Sequence, residues 1–471
     1  MPITPERTNF FQDCQELQQF LVHCQEISRR KKRSQFVSIS WEVDRLDPLV
    51  IYQKLQRQKQ LQFYIENPER ATAIAALDSV THRYIDSSER FESAREFIED
   101  CWQDLITIGN LDRPFSGPHF FCSLTFFDRA NDPDAPFAPA TIFLPRWQIS
   151  SDDRRSTIVT NLAVRQQTQT QWVARQIWHQ LQRIQAIDGG ISQPNLPKNH
   201  QWDLRDLPSF QTSVSSALES IDGDRFQKIV LSHAIDITAS SPFEIVPSLA
   251  RLRQQYRDCY IFSTSNGRGT HFIGASPERS IEIRDRQLTT DALAGSAPRG
   301  TTPTEDATFA NQLLSSPKEQ HEHQVVLDFT LRNLRELGLQ PEPVAPMRLL
   351  QLSNIQHLWT PIRATVPPNI HPLQIVARLH PTPAVAGAPR TIACEEIRRY
   401  ETFDRALYAA PLGWIDRRGN SEFVVGIRSA LIEGCRARLY AGAGIVAGSD
   451  PKKELAEIQL KFQALLKTLV G

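Results

Sequence analysis

The sequence predicts an α+β protein built on antiparallel sheets. Short runs of strand length, alternating or wholly apolar, recur along the chain, as at Phe36–Trp41, Tyr260–Ser265 and Arg279–Arg284. Neighbouring runs are separated by turn residues, as where Ser276-Pro277-Glu278 joins two of them, and not by helical crossovers. No internal repeat, Rossmann fingerprint or P-loop breaks the pattern, which sets it apart from βαβ architectures.

In chain order, residues 1–35 read as a polar helix with a thin apolar face of Phe11, Leu17, Phe20, Leu21 and Ile27, ending in the solvated basic run Arg29–Arg33. Strand Phe36–Trp41 follows. A helix starts at Asp47-Pro48-Leu49, then come strands at Leu61–Ile65 and Ala71–Leu77 and a helix at Ser87–Ile106. Further strands are predicted at Pro118–Phe127 and Ala140–Pro145, separated by an Asp/Ala/Pro loop over 128–139, with a glutamine-rich helix at 165–187. Gly189–Ser209 holds three prolines and little apolar periodicity, so it reads as a linker, dividing an N-terminal half (1–205) from a C-terminal region (206–471).

The C-terminal region opens with helix Phe210–Ile221 and the strand Lys228–Ile237, whose leading lysine by itself reads as a solvated strand end. Helix 243–256 precedes strands at Tyr260–Ser265, Thr270–Gly274, Arg279–Arg284 and Gln287–Ala292, and a glycine-bearing turn at Leu293–Gly300. Residues 304–338 are helical. Glu322, Val325, Val326 and Phe329 fall at i, i+3, i+4, i+7, which puts a carboxylate on an apolar face where it needs a partner. His321 and His323 flank it at i, i+2, on different faces, so they form no zinc pair. A loop at Leu379–Pro389 and strands at Tyr408–Trp414, Glu422–Ile432 and Ala437–Ala441 lead to a glycine turn containing Gly442 and Gly444, then a helix capped by Ser449 or Asp450. In that helix Leu455, Ile458, Phe462, Leu465 and Leu469 form the buried stripe, and Glu454, Glu457 and Lys461 a charged stripe beside it. The glycines leave backbone N–H groups open to an anion, and a divalent cation would bridge such an acid to the carboxylates.

With 53 basic and 53 acidic residues in 471, and 40% hydrophobic content, the composition is that of a soluble globular protein. Balanced charge argues against nucleic acid or a membrane surface as partner, and no apolar run reaches the roughly 20 residues of a membrane span. Pro2, Glu6, Asn9 and Asp13 fit neither a signal nor a transit peptide, and seven scattered cysteines without a C-x-x-C pair suit a reducing compartment. A cytoplasmic location is expected, as a monomer or homodimer.

From about Asp222 onward the chain resembles the chorismate-utilising enzymes: isochorismate, salicylate, anthranilate and aminodeoxychorismate synthases. The resemblance rests on Lys228–Ser232, Gly274–Glu278, Ala292–Ser296, His321–His323, His357–Pro361, His380–Gly387, Phe403–Tyr408, Glu422–Arg428, Tyr440–Gly444 and Glu454–Lys461, in that order. The N-terminal half resembles isochorismate synthases more weakly, at Asp47–Leu49 and Phe63-Tyr64. His233, Ala410 and Ala75-Ala76 depart from the pattern.

The resemblance implies two antiparallel sheets packed with surrounding helices, an active site between them, and Mg²⁺ as cofactor. It makes Glu322 and Glu457 metal ligands, supported by Glu319 and Glu454. It gives Tyr408, Arg428 and the Gly444 amide the enolpyruvyl carboxylate, and puts Gly295, Ser296 and Lys461 beside the ring carboxylate, with His357 and Gly442 in the same binding set. Lys228 becomes the base that activates water, and Glu278 the acid that protonates the leaving hydroxyl. Both roles demand shifted proton affinities, lowered for the lysine and raised for the glutamate. Lys228 favours water over ammonia as nucleophile, and the chain has no amidotransferase region. The expected activity is therefore that of an isochorismate synthase, serving menaquinone, phylloquinone or salicylate-type pathways. A salicylate synthase or an aminating enzyme is the alternative, and a non-catalytic homologue would lack one of these charged groups.

Overall fold

A computed structural model describes residues 10–129, 134–191, 200–203, 207–353 and 355–470. The expectations placed on Pro2, Glu6 and Asn9, on part of the 128–139 loop and on most of the 189–209 linker lie outside those residues.

Alternation of apolar residues drives the strands into two sheets that share one long strand, Ala140–Ser151. Its second half pairs with Ser156–Val164, and its first half with His119–Leu124. Strand Thr72–Ile85 runs beside it for its whole length, slipping register between Ser79 and Thr81. From Thr72–Ile85 the first sheet continues through Gln62–Asn67, Tyr260–Ser265, Thr270–Ser276, Ser429–Glu433 and Arg436–Val446 to Lys228–Ala239. The second runs from His119–Leu124 through Pro411–Asp416, Ser421–Val425, Arg279–Arg284 and Gln287–Pro298 to Ile355–Thr365. Every pairing named is antiparallel; Gln35–Val43 with Leu105–Ile108 is parallel. Each sheet crosses residue 205, and one hydrophobic cluster forms on each. The described piece of the linker, His200–Asp203, pairs with the far end of the Lys228 strand.

The α+β class and the antiparallel sheets are as expected, and several local readings need correction. Helix Arg90–Gln103 ends early, and Leu105–Ile108 leaves it as a strand because Phe36–Ile39 offers it a partner edge. Strand Ser156–Val164 and helix Pro372–Leu379 were not anticipated. The helical stretch 304–338 is two helices, Pro303–Ser315 and Pro317–Glu336: Ser316 caps the second by accepting the Glu319 N–H, and Pro317 lacks an N–H to continue the first. Strand 422–432 breaks at Gly426–Arg428, where Arg428 takes φ 48°. Tyr408 precedes its predicted strand, which starts at Pro411.

The two glycine turns are strands. Gln287–Pro298 passes through Gly295 as a bulge, with Ala294 opposite Leu358, Ser296 opposite His357, and Gly295 at φ 76°. Arg436–Val446 passes straight through Gly442 and Gly444, which have no positive φ; glycine is needed there for close approach. A Cβ on Gly442 would sit 2.9 Å from the Tyr408 hydroxyl, and one on Gly444 2.9 Å from Glu322 Oε1.

The strand that begins at Lys228 is clamped from its open edge by Arg405, which is fully buried. Arg405 donates to the carbonyls of Val230 (2.7 Å) and Val385 (2.9 Å) and to Glu401, and its guanidinium lies 4.3 Å from the centre of the Phe126 ring. Glu401 in turn accepts the N–H and hydroxyl of Ser232, each at 2.7 Å. Removing one charge of so dry a pair leaves the other uncompensated. Arg405→Met is expected to cost about 3–5 kcal/mol in urea unfolding, with Arg405→Met/Glu401→Gln recovering part of it; equal stability of the single variant and wild type would refute the clamp.

Candidate active site

Two helices and the ends of two sheets meet at one cleft. Helix Pro317–Glu336 brings Lys318, Glu319 and Glu322 to it, and helix Pro451–Leu469 brings Glu454, Glu457 and Lys461. The second helix starts as predicted, with Asp450 accepting the N–H groups of Lys452 and Lys453; Ile458, Phe462, Leu465 and Leu469 are buried and Leu455 half-buried. The apolar stripe therefore turns the charged one toward the cleft. The sheets supply Gly295, Ser296, His357, Gly442 and Gly444, and the connections Glu278, Tyr408 and Arg428.

Every predicted substrate and metal residue lines this cleft. Lys228 is set one layer back: it is 1% exposed, and its ammonium donates to Glu322 Oε1 at 2.7 Å. Sequence reasoning missed Lys318, which stands 3.7 Å from both Glu319 and Glu454 and so ties the two acidic helices together. The signal was present in Ser316-Pro317-Lys318-Glu319, a helix start whose first turn already carries the charges. Tyr440, within a quoted motif but not singled out, stacks on Tyr408 with ring centres 5.3 Å apart and planes 15° apart.

The carboxylates are poised differently. Burial works against the charge on Glu322, yet the Lys228 ammonium, with Lys318 and Lys461, outweighs it and holds that carboxyl below the usual range. Glu319 is pushed up by burial and by Glu322, and Glu454 by burial and by Glu457. Lys461 donates to Glu457 Oε1 (2.7 Å) and to the Gly442 carbonyl (2.8 Å). Glu319, Glu322, Glu454 and Glu457 share the cleft and offer oxygen donors of the kind a hard cation takes. Among the described residues no three His, Cys, Asp or Glu side chains already converge as a cage. That is compatible with Mg²⁺, which takes one or two carboxylates and retains waters.

Beside the acids, other groups of the cleft suit an anion. Arg428 donates to Cys259 Sγ at 3.6 Å and forms no ion pair among the described residues, so its guanidinium is available. Val230 and Ser232 direct their N–H groups to the Ala386 carbonyl and Glu401, away from Gly444 and Gly442. The facing pairs Val230–Gly444 and Ser232–Gly442 are therefore the non-hydrogen-bonded ones of the ladder, and the glycine N–H groups point out of it. His357 is pushed down to about 3 by burial and by Arg428 and Lys461, so the neutral ring shares a 2.9 Å hydrogen bond with the Ser296 hydroxyl. His323 is buried and His321 exposed, as their spacing requires.

Glu278 is the proton-bearing group. Burial, with the nearby charge of Asp291, pushes its carboxyl up to about 8 against the pull of Lys228. Arg279 holds Asp291 through two 3.1 Å bonds, and the Trp359 indole donates to it at 2.9 Å. Glu278 therefore keeps its proton at neutral pH.

A cleft that brings together an arginine without an ion pair among the described residues, strand amides, four carboxylates and a buried glutamate with a raised proton affinity is that of an enzyme acting on a small anion. A family model described as chorismate binding enzyme matches residues 18–470, and the chain belongs to that family. It is 33% identical over 450 residues to the salicylate biosynthesis isochorismate synthase of Pseudomonas aeruginosa, covering 93% of this chain and 90% of that protein. It is 28% identical over 466 residues to the isochorismate synthase MenF of Bacillus subtilis, covering 96% and 97%. Among solved structures, the menaquinone-specific isochorismate synthase MenF of Escherichia coli superposes with a TM-score of 0.75 at 26% identity, over 96% of this chain and all of that one.

Two measurements follow from the cleft. Gly444→Ala pushes a methyl into the Glu322 carboxylate, the movable end of a side chain, so turnover is expected to fall at least about ten-fold while unfolding free energy changes by less than about 1 kcal/mol. The second concerns Glu278, whose carboxyl binds its proton more tightly folded (about 8) than at its ordinary 4.5. The stability it contributes is complete below about 4.5 and is lost as pH rises through about 8. Glu278→Gln escapes this loss, so its stability relative to wild type is expected to grow by about 1–3 kcal/mol between pH 5 and pH 8 in denaturant titrations; a constant difference would show that Glu278 is ionised.

Proposed function

We propose that the chain is an isochorismate synthase, a Mg²⁺-dependent isomerase that converts chorismate into isochorismate. Water adds at C2 of the ring while the C4 hydroxyl leaves, so the atoms of substrate and product balance. The observation that carries the reading is Glu278, a carboxyl kept protonated by burial, facing a cleft whose far wall holds the Lys228–Glu322 pair.

In this reading Glu278 delivers its proton to the C4 hydroxyl, which departs as water. Lys228, acting as the free amine after its ammonium proton has passed to solvent, takes one from the attacking water. The lysine ends as a cation and the glutamate as an anion, and a proton returned from the first to the second through solvent resets the site. Arg428, the Gly444 amide and the Tyr408 hydroxyl grip the enolpyruvyl carboxylate. Gly295, Ser296, His357, Gly442 and Lys461 orient the ring and its carboxylate. Glu322 and Glu457 hold the magnesium, with Glu319 and Glu454 positioning its waters; the ion supplies charge neutralisation for the ring carboxylate. The relatives' names include salicylate biosynthesis, menaquinone-specific and vibriobactin-specific isochorismate synthases, which supports a product serving a quinone, salicylate or siderophore route.

The test is product analysis by NMR after brief incubation with chorismate. Isochorismate without pyruvate is expected, abolished by EDTA and restored by Mg²⁺. Pyruvate release would identify a salicylate synthase, and amination with added ammonium an aminating enzyme. Lys228→Ala and Glu278→Gln are each expected to lower kcat by about 10²–10⁴-fold with the fold intact. The wild-type rate is expected to decline above about pH 8 as Glu278 loses its proton; an alkaline limb that persists unchanged in Glu278→Asp would assign that ionisation elsewhere.

A further inference from the structure

The N-terminal half holds a second cavity, of about 640 Å³, that shares no lining residue with the catalytic cleft. That volume falls within the range of small-ligand pockets. Its floor is the sheet where strand Thr72–Ile85 slips register against Ala140–Ser151, beside Asp78 at φ 59°. One wall is helix Thr170–Gln185, which presents Trp172, Gln176, Gln180 and Arg183 along one face. The other is the end of helix Pro48–Leu55 with Lys54 and Arg57.

Two features mark it as a binding site. The first is charge: Lys54, Arg57, Arg146 and Arg183 line it against the lone acid Asp78, which is already held by Arg146 at 2.8 Å. Lys54, Arg57 and Arg183 make no ion pair among the described residues. The second is an exposed aromatic surface: Trp172 stands 60% exposed at the rim, and Trp147 lies half-buried in the floor. An indole on a helix surface forgoes burial that the sequence could have provided, which is informative where an isolated leucine would not be. Helix C-termini account for Lys54 and Arg183, each in the last turn of its helix; they explain neither Arg57 nor the indole.

We propose that this cavity binds a small ring-bearing anion. The ring lies against Trp172, and the phosphate or carboxylate sits among Arg57, Arg183 and Lys54. The site is separate from the reaction proposed above and stands or falls independently of it.

The full chain is titrated by calorimetry and tryptophan fluorescence with AMP and orotate as ring-bearing probes and inorganic pyrophosphate as the ringless control. At least one ring-bearing probe is expected to bind with a sub-millimolar Kd, roughly ten-fold or more tighter than pyrophosphate, and to quench fluorescence. Trp172→Ala is expected to weaken it by about five-fold and Arg57→Ala/Arg183→Ala by about ten-fold, while Trp172→Phe stays within about two-fold of wild type. None of these variants should alter turnover of chorismate in the absence of probe. The proposal is overturned if neither ring-bearing probe gives heat at millimolar concentration, if pyrophosphate binds as tightly as the rings, or if the variants bind like wild type.

Discussion

The buried contact between Lys228 and Glu322 is the constraint around which the molecule is arranged. It joins the last long strand of the first sheet to the helix that carries half of the acidic cleft. Burying two charges costs several kcal/mol apiece before their attraction is counted, so a pair like this is weak evidence of stabilisation. Its value is positional. The lysine can be buried only where the carboxylate is, and the carboxylate is kept ionised by that lysine with help from Lys318 and Lys461. The absence of a side chain at Gly444 leaves room for the contact, since a Cβ there would meet both partners.

Around that fixed point the charges of the cleft fall into two sets. The helices provide acids interleaved with lysines, so that the carboxylates are crowded without being unpaired. The strands and their connections provide Arg428 and outward-facing amides, which are cationic or polarised and, among the described residues, lack an acid partner. Glu278 lies in neither set; its neutrality comes from burial reinforced by the Asp291 charge, which Arg279 and Trp359 hold in place.

Much of this was legible from residue patterns because local rules and global packing agree. The terminal helix announced its cap, its buried stripe and its charged edge, and all three stand as read. Glu322 on an apolar face demanded a partner, and Lys228 supplies it. The errors fall where glycine was taken for a turn signal. At Gly295 it permits a bulge, and at Gly442 and Gly444 it clears space in a continuous strand; a single sequence does not distinguish a residue that needs φ > 0 from one whose Cβ would collide with a distant side chain. Strand Ser156–Val164 escaped notice because both its faces are buried, so its pattern lacks alternation. A lysine leading so apolar a strand reads as a solvated strand end, yet Lys228 is 1% exposed; the depth of a side chain behind its neighbour is a tertiary fact that spacing along a strand does not encode.

The first half of the chain contributes no lining residue to the cleft, yet the cleft depends on it. Gln62–Asn67 pairs with Tyr260–Ser265, which carries Thr270–Ser276 and the turn to Glu278; His119–Leu124 pairs with Pro411–Asp416, next to the strand that ends before Arg428. These N-terminal strands set the angle between the two sheets, and the shared strand Ala140–Ser151 fixes it because it belongs to both. Arg428 and Glu278 lie at the seam: the Val425 N–H donates to the Glu278 carbonyl at 3.0 Å and the Ala275 N–H to that of Arg428 at 3.1 Å. A small rotation of one sheet against the other therefore shifts the anion-gripping arginine and the proton-bearing glutamate together.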